Sequence, residues 1–410
     1  MLGGDPSQTK PYRYGFPVEV TVRNAKGDYR VARHYSMGRM AHELSYVMPD
    51  SRTVYQSDDG TNVGLFLYVA DQPQKLSSGS LYAMKWTQTS GSGQSDLGTA
   101  DVSWIKLGHA TDDEVEAIID RGIAFDDIFD STSPVDGVCP DGFASVNANG
   151  VGLECLAVRG GQEKAAAFLE TRRYAGILGA TTELRKEEGI TFDEKNKRLY
   201  VAFSELQYGM EDNKKNNKPS TNYDIGTSND VRLLYNTCGA VYGFDVVHDR
   251  TIGSRYVLGS ATGVLAGRMT TLVDADKANP STIDAYDEAS PFAGSTCDIN
   301  GIANPDNVSF VQGRDTLLIG EDTGDGHQND AVWSYNLEDK SLTRIATTPY
   351  GAETTSLYHY PDIGGFGYIV LVVQHPYGES DQAELNDPAE ARSYFGVIGA
   401  LPGSSPVGKH

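Results

Sequence analysis

Four stretches of this chain repeat one pattern, and that pattern restricts the fold to a repeated pair of strands. The first runs from Glu43-Leu-Ser-Tyr-Val to Asp58, and the second from Glu188-Gly-Ile-Thr-Phe to Glu205. The third runs from Asp306-Asn-Val-Ser-Phe to Glu321, and the fourth from Glu353-Thr-Thr-Ser-Leu to His375. Each reads as an acid, a short strand, a turn, a second strand and a closing acid or histidine, with first-to-last spacings of 15, 17, 15 and 22. Repeated strand pairs are the signature of a β-propeller, whose blades radiate from one channel. If the opening acids occupy equivalent positions, Glu43, Glu188, Asp306 and Glu353 converge on that channel. Carboxylates brought that close cannot all stay ionised without cations, so the pattern predicts a metal site.

Composition agrees with a turn-rich all-β chain. The 410 residues include 45 glycines and 17 prolines and are 39% hydrophobic, which is enough for a large core. Net charge is −22, from 56 acids against 34 lysines and arginines. Such a balance disfavours nucleic acid, whose phosphates need basic contacts, and an anionic membrane surface. No apolar run is long enough to span a bilayer, so no membrane insertion is expected. The first residues, Met1-Leu-Gly-Gly-Asp-Pro-Ser-Gln, lack the charged and apolar regions of a signal peptide.

The four cysteines, 139, 155, 238 and 297, form no CxxC motif and allow three pairings. Proximity in sequence favours Cys139–Cys155 and Cys238–Cys297, with four buried thiols as the alternative. Two disulfides would place the chain in an oxidising compartment.

Residues 17–107 read as strands, rich in β-branched and aromatic side chains. A partly helical insertion is expected over about 108–180. There Thr111-Asp-Asp-Glu opens like a capping box with a helix to about Arg121, and Glu163-Lys-Ala-Ala-Ala-Phe-Leu-Glu starts a second helix. Further insertions are expected at about 207–236 and 259–300, the last with turns near Asp274, Asp276 and Asp284. One domain spans the chain on this reading, a propeller of about six blades with the first missing or only partly present.

Three further segments carry chemistry. Glu321-Asp322-Thr-Gly-Asp325-Gly-His327-Gln-Asn-Asp330 is dense in oxygen donors and suits a hard cation such as Ca2+; a solvated acidic turn is the bland alternative. Arg185 and Lys186 stand beside Glu188, where a cation could hold an anionic substrate such as a phosphate; an ordinary charged loop reads as well. His375 leaves an apolar strand and could be a ligand or the donor that orients one. His42-Glu43 begins like a zincin motif, but Tyr46 stands where the second histidine would be.

These repeats resemble the PhoX-type alkaline phosphatases, a family of secreted propeller enzymes. The matching segments are Gly38-Arg-Met-Ala-His42-Glu43, Tyr55-Gln-Ser-Asp58-Asp59-Gly with Leu65-Phe-Leu-Tyr68, Glu188-Gly-Ile-Thr-Phe, Asn304-Pro-Asp306-Asn307-Val-Ser-Phe and Gln374-His375-Pro376. The resemblance implies a six-bladed propeller with iron and calcium (Fe3+ and Ca2+) in its channel, hydrolysing small-molecule phosphate monoesters in the periplasm or outside the cell. It implies Glu43 and Glu188 as metal ligands, with Asp58, Asp306, Glu321, Asp322 and Glu353 completing the set. It also implies a phosphate-holding Arg185, or Lys186 in an alternative register. The family carries a Cys-Ala-Gly-Gly segment upstream of its His-Glu motif. Only 41 residues precede His42 here, with no cysteine or tryptophan among them, so the sequence reads as beginning just after that segment. A Ca2+-dependent lactonase or esterase, with His375 or His327 as base, and a non-catalytic binding propeller are the rival readings.

Overall fold

The computed structural model describes residues 9–90, 97–225, 229–271, 282–378, 385 and 387–402. Each of the four sequence repeats forms an antiparallel hairpin. The third and fourth open sheets of their own, while the first and second lie at opposite edges of one nine-stranded sheet. Its two halves, the first and second blades, join where Ser260–Thr262 pairs with Thr99–Asp101. The first blade opens with His42–Val47 and Thr53–Asp58 and adds Phe66–Gln72, Lys75–Ser90 and Thr99–Thr111. The second is Glu187–Asp193, Arg198–Phe203, Ala240–Asp249 and Ser254–Ala266. The third is Pro305–Val311, Thr316–Glu321, Asn329–Asn336 and Leu342–Tyr350. The fourth has three strands, Glu353–Ile363, Phe366–Gln374 and Tyr394–Pro402. The fold is therefore a mostly β propeller, and the described residues supply four of its blades.

The turns inside these hairpins follow from their sequences. Asp50 accepts from the backbone N–H of Arg52 at 3.0 Å and of Thr53 at 2.9 Å. Asp193 does the same for Asn196 at 3.0 Å. Asp362 accepts from Gly365 at 2.7 Å, in a turn where Gly364 and Gly365 take φ of 64° and 93°. Such side-chain acceptors mimic a backbone turn, and glycine adopts positive φ without steric cost.

Strand alternation then builds one apolar layer between each pair of neighbouring blades. Along Arg198–Phe203, Leu199, Val201 and Phe203 pack toward the first blade with Tyr55, Trp86 and Tyr242. Tyr200 and Ala202 face the third blade and meet Phe310, Leu317, Ile319 and Trp333. One blade further on, Leu318 and Val332 join Leu357, Ile369, Leu371 and Val373 of the fourth. Successive side chains point to opposite faces, so each inner strand serves two cores at once. The far face of the fourth blade leaves Tyr358, Tyr360, Phe395 and Val397 exposed.

Between the first and second blades lie the expected helices. Asp112–Asp120 begins with a true capping box, Thr111 accepting from the Glu114 N–H and Glu114 from the Thr111 N–H. The Gln162–Leu178 region forms two short helices, Glu163–Leu169 and Thr171–Ile177, with a break at Glu170. Their buried alanines, Phe168 and Leu169 cover the outer face of the first blade. Asp284 ends a short strand that pairs in parallel with Met269–Thr271, where a turn was expected; Asp274 and Asp276 lie outside the described residues. No helix among the described residues is long and apolar enough to cross a membrane.

Both favoured disulfides form, Cys139–Cys155 with Cα atoms 5.3 Å apart and Cys238–Cys297 with 5.9 Å. They close sequence loops of 16 and 59 residues. On a chain-entropy account the longer loop contributes about 4 kcal/mol and the shorter about 3 kcal/mol. Replacing each pair by alanine and comparing denaturation midpoints should show the larger loss for Cys238 and Cys297.

At Gly189 the second and third blades approach backbone to backbone. A Cβ there would lie 2.2 Å from the Asp306 carbonyl oxygen and 2.8 Å from the Val308 nitrogen. Backbone cannot yield as a side-chain tip can, so Gly189→Ala should destabilise by about 3 kcal/mol or more. Chemical denaturation of the variant measures it; an unchanged midpoint would contradict this packing.

Candidate active site

The opening strands of the four blades stand in order around one axis. Glu187–Asp193 touches His42–Val47 on one side and Pro305–Val311 on the other, and Pro305–Val311 touches Glu353–Ile363. The acids that open the repeats therefore meet at one end of the blades. Their electrostatics report the meeting. Burial raises the Asp306 carboxyl well above its usual range, and the charges of Glu188 and Glu353 add to that. Burial also raises Glu188, against the pull of the Lys186 ammonium and the Ser204 hydroxyl. Glu43 is open to solvent yet raised by desolvation and by Asp59 and Glu353, with Lys186 opposing. A carboxylate both wet and crowded is what the wall of an acidic channel presents.

One ammonium sits inside this cluster. Lys186 Nζ lies 2.9 Å from Glu188 Oε1 and 3.2 Å from Asp322 Oδ2, and both acids hold its pKa above the ordinary lysine value. Its backbone takes φ of 43°, and Asn304 takes 41°, each two residues before an opening acid. His375 at the fourth repeat has φ of 31°. Left-handed backbone at non-glycine residues costs roughly 1–2 kcal/mol each and collects where function fixes the geometry.

Neighbouring side chains orient the acids. Ser204 donates to Glu188 Oε2 at 2.5 Å. Asn307 donates to Asp306 Oδ1 at 2.5 Å. Glu353 Oε2 accepts from Gln374 at 2.9 Å and lies 2.9 Å from His375 Nε2. Among the described residues no three His, Cys, Asp or Glu side chains stand ready to hold one metal ion as they are.

Several expected ligands are committed elsewhere. Both oxygens of Asp58 bind the Arg172 guanidinium, and Asp58 Oδ1 also accepts from the Ala41 N–H at 3.0 Å. Glu321 is fully buried, and all its acceptor positions are used. Oε1 takes Ala303 N at 2.8 Å and Trp333 Nε1 at 2.6 Å. Oε2 takes Ala331 N at 2.8 Å and His327 Nδ1 at 3.0 Å. A carboxylate with four hydrogen bonds has no lone pair left for an ion. Within the expected cation loop, Glu321, His327 and Asp330 turn inward to tie the third blade together, Asp330 accepting from Thr323 Oγ1 at 2.7 Å. Asp322 reaches Lys186, and Asp325 is exposed.

Arg185 is also engaged. It binds Glu205 and Thr61 and stacks over Tyr208, 4.4 Å from the ring centre. His327, one of the two candidate bases, is pinned between Glu321 and the Asp298 carbonyl at 3.1 Å, so it is no free base.

Sequence reasoning missed Ser204, Asp59, Arg172 and Glu187. Ser204 stands next to Glu205 within its repeat, and Asp59 directly follows Asp58, so position could have flagged both. Arg172 lies 114 residues from Asp58, with no local signal. Glu187 is fully buried, its carboxyl oxygens without a hydrogen-bond partner among the described residues, and burial raises its pKa well above the usual range.

A known structure shares this fold. A solved structure of Pseudomonas fluorescens PhoX in complex with vanadate, a transition state analogue, superposes with a TM-score of 0.56 at 18% identity. The match covers 94% of this chain and 57% of that one, so the chain spans little more than half the length of that protein. A luciferin-regenerating enzyme covers 90% of this chain and 95% of its own at 9% identity, but its TM-score of 0.29 carries no argument. No curated protein matches the chain. The family profile described as alkaline phosphatase PhoX matches residues 4–230, more than half of the sequence, and the chain therefore belongs to the PhoX alkaline phosphatase family.

Proposed function

We propose that this chain is a metal-dependent phosphatase that hydrolyses phosphate monoesters at the acid cluster. The observation that carries the reading is the convergence of Glu43, Glu188, Asp306 and Glu353 with Asp322 around the ammonium of Lys186. Family membership supports it.

The donor chemistry fits Ca2+ and Fe3+. Hard cations take carboxylate oxygens, and this cluster has more carboxylates than one lysine neutralises. Glu43, Glu188, Asp306 and Glu353 would hold the ions, with Asp322 at the edge. The bound ions supply the positive charge that gathers phosphoryl oxygens and stabilises the leaving oxygen. The rest falls to the chain. Asp306 and Glu188 would turn carboxylate oxygens to the ions, and Lys186, beside Glu188 and Asp322, would hold a phosphoryl oxygen. Ser204, Asn307, Gln374 and His375 fix the carboxylates in place. Arg185, bound to Glu205, walls the site beside Tyr208. The two disulfides fit a periplasmic or extracellular setting. The lactonase reading loses support with His327 held in place, and His375 is left as its one candidate base.

Two substitutions separate ion assembly from substrate capture. Glu188→Gln keeps shape but removes a charge, so metal content should fall and p-nitrophenyl phosphate hydrolysis with it, by about a hundredfold. Lys186→Ala should retain the metals and raise KM about tenfold or more, because an ammonium is not a ligand but does hold phosphate. Metal analysis beside steady-state kinetics, with Ca2+ and Fe3+ supplied, reads both. Full activity and full metal content in Glu188→Gln would end this reading.

A further inference from the structure

A cavity of about 400 Å³ opens beside the acid cluster. Two of its wall residues connect it to the cluster directly. Asn304 accepts the Asp322 N–H at 3.0 Å through its carbonyl and donates from its side chain to the Ser204 carbonyl at 3.1 Å. Glu205 follows Ser204, the residue that orients Glu188. The remaining wall includes Tyr235, Met269, Thr296 and Asp325, braced from behind by the Cys238–Cys297 disulfide, whose Cys297 pairs with Met269.

Among the described residues the charge of this wall is one-sided, with no lysine or arginine lining it. Glu205 is met by Arg185, whereas Asp325 is exposed and its carboxylate meets no cation among the described residues. Its backbone is anchored, the Asp325 carbonyl accepting from Thr296 N at 2.8 Å and from Thr296 Oγ1 at 2.9 Å. A phosphate held at the cluster would send its ester group into this cavity. There an anionic group meets like charge, while an ammonium meets Asp325, the hydroxyls and the Tyr235 ring.

We propose that this cavity is the leaving-group pocket and selects phosphate monoesters of amino alcohols, with Asp325 as the residue that sets the preference. The inference rests on the phosphatase reading. In the reaction, the oxygen of water joins phosphorus, the ester P–O bond breaks, and the alkoxide takes up a proton. Inorganic phosphate and the free amino alcohol are released.

Phosphonates test the pocket without turnover, because their carbon–phosphorus bond is not an ester. Calorimetric titration of the protein supplied with Ca2+ and Fe3+ would compare 2-aminoethylphosphonate, ethylphosphonate and 2-carboxyethylphosphonate. The amino-tailed probe should bind at least about tenfold tighter than the carboxyl-tailed one, which corresponds to about 1.4 kcal/mol. Asp325→Asn should shrink that gap severalfold, and Asp325→Lys should invert the order. Asp325 is exposed, so neither change threatens the fold. Equal binding of the three probes, no binding of the amino-tailed probe, or a gap that survives Asp325→Asn would overturn the proposal. Turnover of p-nitrophenyl phosphate in the same preparation tests the phosphatase reading separately. Tail discrimination without turnover keeps the pocket and removes that reading, and turnover without discrimination does the reverse.

Discussion

Repulsion among carboxylates is the constraint around which this propeller is organised. Glu43, Glu188, Asp306, Glu353 and Asp322 are drawn together by strands that have their own reasons to pack, and the cost of that crowding appears in three raised carboxyl groups. Lys186 supplies one internal counter-charge. It does so from a left-handed backbone position, so the relief of repulsion carries a conformational cost.

The apolar layers hold the acids in this position. Each inner strand divides its side chains between two neighbouring blades, and Gly189 lets the second and third blades approach backbone to backbone at the level of Asp306. Side chains from the same turns then lock the carboxylates, as Ser204 does for Glu188 and Asn307 for Asp306. Packing and site geometry are thus one arrangement at two distances from the axis.

Much of this was legible in the sequence because it is local. An acid followed by a strand, a turn and a second strand is a contiguous signal, and all four copies became the inner hairpins of blades. The disulfide pairing was legible for the same reason, since the two bonded pairs are the sequence neighbours. The capping box at Thr111 is also local, and its helix appears as read. What could not be read is how each acid is satisfied. Asp58 and Glu321 look like Glu43 and Glu188 in sequence, yet one is bound by Arg172 and the other by four donors from Ala303, His327, Ala331 and Trp333. Hydrogen-bond saturation depends on partners brought by tertiary packing, and spacing along the chain carries no record of it. The same gap explains Arg185, whose neighbour Glu188 suggested a substrate contact while Glu205 and Thr61 had already claimed its guanidinium.

The double duty of the inner strands also governs how such a chain can change over generations. In Arg198–Phe203, a single deleted residue would exchange the Leu199, Val201 and Phe203 face for the Tyr200 and Ala202 face and spoil two interfaces together. Length variation is therefore tolerable in the connections and hardly at all within the blades. The long stretches that separate Thr111 from Leu184, and Phe203 from Ala240, lie where the propeller can accept added sequence without disturbing its layers. A change of length at the joints therefore costs the fold far less than the same change within a radial strand.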